Sequence, residues 1–130
     1  VQTSDNVIVY GHHITNYQVF GELEKYKRKE FYDNHKIINF NTIYGNADYE
    51  IISVFKTVAY TGFKYYEFID SSSQDEFDTF IKKCKELSFY EIEKTAKYGD
   101  KLLTLSTCEY SAKNGRLVVV ARKITSELEE

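Results

Sequence analysis

"TLSTCEYSAKNGRLVVVARK", residues 104–123, sets a cysteine at the end of one apolar run and an arginine at the start of the next. The runs "KLLTLST" (101–107) and "RLVVVARKI" (116–124) are rich in leucine and β-branched residues and flank a polar segment, the pattern of two strands and a loop. Paired antiparallel, they leave a loop from Glu109 to Gly115, with Asn114-Gly115 supplying the positive-φ positions such a loop needs. Cys108 and Arg116 flank that loop. Residues opposed across an antiparallel pair project to the same side with Cβ atoms about 5 Å apart, so a thiol and a guanidinium are expected on one patch of surface. The second strand is apolar on both faces from Leu117 to Val120, as befits a central strand covered on both sides.

Outward from this hairpin, "NVIVY" (6–10) reads as a short buried strand that stops at Gly11. "QVFGELEKYK" (18–27) carries Val19, Phe20, Leu23 and Tyr26 at helical spacing, and a helix is expected there despite Gly21. "KIINFN" (36–41) and "DYEIISVFKTVAY" (48–60) read as antiparallel strands joined by "TIYGNA", whose Gly-Asn is a hairpin signal. From Ser73 the period changes: Phe77, Phe80, Ile81, Cys84 and Leu87 form one helical stripe, and Ser73 with Glu76 has capping-box spacing. Acids crowd the first turn and lysines follow, as the helix dipole favours. The result is a mostly β, α+β chain with helices inserted between strands, a small barrel or a packed sheet, in a single domain over 1–130.

The composition narrows the function. With 42% hydrophobic and 28% charged residues the chain is ordinary globular material rather than disordered. Net charge is −3, and the basic run Lys25 to Lys29 is flanked by Glu24 and Glu30, so it reads as a solvated face and no nucleic acid is expected as a partner. No apolar run approaches the length that crosses a bilayer. The sequence contains no methionine, so Val1 is not expected to be a genetic start, and any anchor or export signal is expected upstream of it.

The residues that carry chemistry are few. A free thiol has a pKa of about 8.5; a neighbouring arginine favours the thiolate and burial opposes it. Read on the residues alone, Cys108 is either a small buried hydrophobe or a nucleophile, whereas Cys84 on its apolar stripe is a core residue. A cysteine nucleophile also needs a proton-transfer partner. Strand phase puts His12, rather than His13, on the side of Ile8 and Tyr10 if the strand runs on through Gly11. His35 follows a turn-like "DN" and reads as a local hydrogen-bonding residue. Adjacent histidines in an extended segment point to opposite faces and no CxxC or HExxH spacing is present, so neither a metal nor any other cofactor is expected.

"TLSTC", an arginine opening the "VVVA" strand, "YGHH" about a hundred residues upstream and the "FYDNHKII" segment together resemble the sortases, the cysteine transpeptidases of Gram-positive surfaces, in their class B form. The resemblance covers nearly the whole chain. It implies a sortase-like β-barrel, incomplete as given because the N-terminal portion of the family domain is not in this sequence. It implies Cys108 as nucleophile, His12 as general acid and base, and Arg116 as stabiliser of the oxyanion or aligner of substrate. Tyr10, Ser106 and Glu109 match positions beside the catalytic residues. Phe63, in the loop around Ala59 to Tyr65 that covers the peptide in this class, is expected to stack on substrate or to pack the loop. The implied partners are the sorting-signal peptide of a secreted surface protein and a peptidoglycan or lipid-linked precursor amine, at the outer face of the membrane or in the cell wall. Membrane attachment is implied only through an anchor absent from this chain. The alternative is a non-catalytic surface module or inactive fragment in which the same residues only pack.

Overall fold

The computed structural model describes residues 6–10, 23–42, 45–58, 73–108 and 115–124, with some of them, Tyr10 and Cys108 included, described through their backbone. Five strands form one sheet: β1 (Asn6–Tyr10), β2 (Ile37–Thr42), β3 (Gly45–Val58), β4 (Leu102–Cys108) and β5 (Gly115–Lys123), in the order β1-β4-β5-β3-β2. β4, β5, β3 and β2 pair antiparallel in turn, and β1 lies parallel to β4. β5 is central, and Leu117 to Ala121 are almost wholly excluded from solvent. Both its faces are apolar because both are covered.

Alternation sorts the side chains into two cores. Leu117, Val119 and Ala121 join Leu103, Leu105, Ile51 and Val54 on one face, against Leu23, Tyr26 and Tyr32. Val118 and Val120 join Leu102, Ile52 and Phe55 on the other, against Phe77, Phe80, Ile81 and Cys84 of the helix α2 (Gln74–Leu87). The alternation in β3 is broken once. Ile51 pairs with Ala121 and Ser53 with Val120, so Ile52 is an extra residue in a β-bulge. Ser53, buried by the bulge, donates from Oγ to the Cys84 carbonyl at 2.6 Å and ties β3 to α2.

α2 forms where the helical stripe predicts it, and Ser73 caps it, its Oγ accepting from the Glu76 N–H at 3.2 Å. Elsewhere the sequence expectations need correction. Of the helix expected over 18–27, the described part is a 3₁₀ helix, Leu23–Lys27, closed by the Arg28 N–H to the Lys25 carbonyl; residues 18–22 lie outside the described residues. A short helix without an apolar stripe, α1 (Lys29–Asn34), follows it, pinned by buried Tyr32. The β2–β3 ladder runs to Thr42 opposite Gly45, so Gly45-Asn46 belong to the strand and the connection is two residues long. Likewise Gly115 is a strand residue paired with Val58, not a positive-φ loop residue. Among the described residues, the glycine at positive φ is Gly99, in the turn that Asp100 closes onto Lys97.

Candidate active site

β4 and β5 bring the two ends of the opening stretch together. Cys108 is the last residue of β4 and pairs directly with Arg116, the second of β5. Arg116 continues the phase of Val118 and Val120 and so stands on the α2 face of the sheet, half-buried. Its Nη1 donates to the Gly115 carbonyl at 3.0 Å, which folds the guanidinium back toward the loop end of the hairpin.

Two more strands reach the same end of the sheet. On the β4 side, Tyr10 closes β1 level with Ser106, two residues before Cys108. Because β1 and β4 are parallel, the chain leaves β1 in the direction in which β4 runs toward Cys108. Ser106 is buried and sits opposite Val118. On the β5 side, Thr57 of β3 is the direct partner of Arg116. Sequence reasoning does not single out Thr57 as a site residue. Its place depends on the β3–β5 register, which strand patterning alone does not give.

Tyr10, Ser106, Cys108 and Arg116 are thus gathered at one end of three neighbouring strands. His12, Phe63 and Glu109 lie outside the described residues. Thr107, wholly buried on the opposite face from Ser106, has no hydrogen-bond partner for its Oγ1 among the described residues. A buried unsatisfied hydroxyl costs about 1–3 kcal/mol, and this one immediately precedes the cysteine. The other thiol, Cys84, is different in kind: it is fully buried on the α2 stripe, and burial pushes its pKa far up, which keeps it an inert thiol. His35 stacks on Phe31 with ring centroids 3.9 Å apart and its Nδ1 lies 2.9 Å from the Phe31 carbonyl, a local structural role.

A strand-dominated sheet with inserted helices, carrying a cysteine paired with an arginine at one end, defines a class, and comparison with known proteins specifies it. The model of the Sortase domain family matches residues 1–124, and the chain belongs to that family. Sortase B of Staphylococcus aureus is 35% identical over 121 residues, which cover 92% of this chain and 48% of that protein. Sortase B of Listeria monocytogenes is 30% identical over 122 residues, again 92% and 48%. The crystal structure of the S. aureus enzyme superposes with a TM-score of 0.80 at 34% identity, over 95% of this chain and 58% of that one. Sortase B from Bacillus anthracis, in complex with AAEK2, gives a TM-score of 0.78 at 32% identity, over 97% and 56%. The described sheet is therefore part of a sortase B fold, and the chain spans about half the length of the curated relatives it matches. S. aureus sortase B has also been solved with substrate, and a sortase B has been solved with triglycine.

Proposed function

We propose that the protein is a class B sortase-type cysteine transpeptidase. It cleaves a C-terminal sorting signal after its threonine and joins the released carbonyl to an amine of a peptidoglycan precursor, at the outer face of the membrane or in the cell wall. The observation that carries this reading is the direct pairing of Cys108 with Arg116 at the end of the β4–β5 ladder, in a chain of the sortase family. The resemblance to sortase B structures that hold a substrate and triglycine supports a peptide donor and an amine acceptor.

In the reaction, the Cys108 thiolate attacks the threonine carbonyl carbon. The tetrahedral oxyanion collapses to a thioester as the peptide C–N bond breaks, and His12 as imidazolium protonates the departing amine. Neutral His12 then takes a proton from the incoming amine, which attacks the thioester, forms the new amide and expels the thiolate, restoring the thiolate–imidazolium pair. Opposed positions of an antiparallel pair share one face, so the Arg116 guanidinium is within reach of the oxyanion; a donor in that role is worth about 3 kcal/mol. The parallel register sets Tyr10 level with Ser106, two residues before Cys108, and this supports the histidine that follows two residues after Tyr10 in the sequence, His12, as the imidazole. Tyr10, Glu109 and Phe63 line the peptide in this reading, and buried Ser106 supports the strand end that carries Cys108.

The test is transpeptidation itself. Incubation with a threonine-containing sorting peptide and an amine acceptor yields the joined product by mass spectrometry, and Cys108→Ala abolishes it. Product from Cys108→Ala, or none from the folded wild type, contradicts the proposal. The second reading is a non-catalytic module in which the same residues only pack, and it predicts no product from the wild type.

A further inference from the structure

The basic run at 25–29 takes no part in the proposed mechanism, yet the fold gives it a definite place. The 3₁₀ helix Leu23–Lys27 and α1 cover the face of the sheet opposite to α2, through buried Leu23, Tyr26 and Tyr32. Arg116 stands on the α2 face, so the run lies across the sheet from it. Over residues 24–36 the cations Lys25, Lys27, Arg28, Lys29 and Lys36 outnumber the acids Glu24, Glu30 and Asp33, in a chain whose net charge is −3. Lys25, Arg28, Lys29 and Lys36 are all exposed. Lys29 is engaged by Asp33 at 3.2 Å, whereas Lys25, Arg28 and Lys36 have no carboxylate partner among the described residues. Ring faces hold two of these heads instead: Lys25 Nζ stands 5.8 Å from the centroid of half-buried Phe31, and Lys36 Nζ 5.8 Å from that of Tyr32. Six residues of helix span about 9 Å, so the three cations on and beside α1 share one small outer surface.

We propose that this surface docks on an anionic lipid bilayer, with lipid phosphates against Lys25, Arg28 and Lys36. Exposed cations spread over an outer layer suit a plane of many negative headgroups, each cation adding to the attraction independently. Aromatic rings set beneath lysine heads are the composition of an interfacial layer, apolar below and charged above, which favours a bilayer over a soluble polyanion. Docked in this way, the molecule keeps the Arg116 face clear of the lipid. The proposal goes beyond the transpeptidase reading and takes nothing from it but the use of that orientation.

The test is cosedimentation of the full chain with vesicles. Vesicles of phosphatidylcholine mixed with phosphatidylglycerol bind it, vesicles of phosphatidylcholine alone do not, and the binding falls as salt is added. The variant Lys25→Gln/Arg28→Gln/Lys36→Gln, altered at exposed positions only, binds the mixed vesicles about a hundredfold more weakly, at about fivefold per cation. Its transpeptidation of a soluble peptide stays at the wild-type rate, because none of the three belongs to the site. Lys82→Gln/Lys83→Gln, which removes exposed charge from α2 instead, binds the mixed vesicles nearly as the wild type does. Equal binding to both kinds of vesicle, unchanged binding in the triple variant, or as large a loss in the α2 variant overturns the proposal. Binding to soluble polyphosphate but not to vesicles also overturns it and assigns the surface to an anionic polymer. The vesicle comparison needs no turnover, so a wild type without transpeptidase activity overturns that reading and leaves this one to be decided by its own result.

Discussion

Arg116 is half-buried and tethered by one Nη to a main-chain carbonyl, so its position is set by the geometry of the strand end. Arg116→Ala is expected to lower the acyl-transfer rate constant by about a hundredfold, the usual effect of losing one oxyanion donor, and Arg116→Lys to recover only part because an ammonium cannot fork; steady-state kinetics on the three proteins checks this. His12→Ala is expected to abolish turnover and His13→Ala to be mild; the reverse would assign the reaction to the other imidazole. Thr107 makes a prediction of the opposite kind. Its buried Oγ1 has no partner among the described residues, so the isosteric Thr107→Val should raise the unfolding free energy by about 1 kcal/mol in denaturant titrations. The Cys108–Arg116 pair was legible in the sequence because two well-patterned runs flank one polar loop, and the register of a hairpin follows from its ends. Thr57 was not, because its place opposite Arg116 depends on a single inserted residue, Ile52, that strand patterning does not reveal.

Among the elements, α2 and β5 were readable for the same reason: each carries a long, uninterrupted period, 3.6 residues in one and a two-faced apolar run in the other. The predicted cap is real, and Ser73→Ala should cost about 1 kcal/mol of stability, measured by thermal or chemical unfolding, with Ser73→Asp close to wild type. Deleting the Phe77 ring from the α2 core should cost about 3–5 kcal/mol. The α1 region shows what local pattern misses. Six residues offer no periodic stripe, and the element is held from outside: Tyr32 is buried, the Tyr26 hydroxyl donates to the His35 carbonyl at 2.7 Å, and Tyr90 donates to the Tyr26 carbonyl at 2.6 Å across 64 positions of sequence. The Gly45-Asn46 signal found the hairpin but not its turn, and Gly115 misled in a related way. In both places strand pairing extends through the glycine, so the glycine serves the ladder instead of the turn.

For the molecule as a whole, the buried acids set its response to alkali. Burial pushes the Cys84 thiol and the Tyr90 and Tyr32 hydroxyls up. Each therefore keeps its proton in the fold at a pH where the unfolded chain has lost it. Their contribution is complete below the ordinary values, 9.0 for the thiol and 10.0 for the phenols, and is lost as pH rises above them. Lys85 acts in the other direction. Burial lowers its pKa as its Nζ donates to the carbonyls of Ile92 and Lys94, so its share rises with pH as the ammonium is relieved. Among the described residues three such groups oppose one, and the melting temperature should fall above pH 10.0, less steeply in Tyr90→Phe.

At the same scale, the sheet order β1-β4-β5-β3-β2 places the cysteine strand beside the strand that leads to "YGHH" and beside the strand that carries the arginine. That arrangement brings Tyr10, Cys108 and Arg116, from three separated stretches of sequence, to one end of the sheet. The most direct measurement of the claim is intact-mass analysis of the protein quenched during incubation with a threonine-containing sorting peptide, followed by peptide mapping. The account predicts a thioester adduct of the peptide cut after threonine, located on Cys108 and absent from Cys84 and from His12→Ala. An unmodified Cys108 in folded protein, or the same adduct on Cys84, would contradict it.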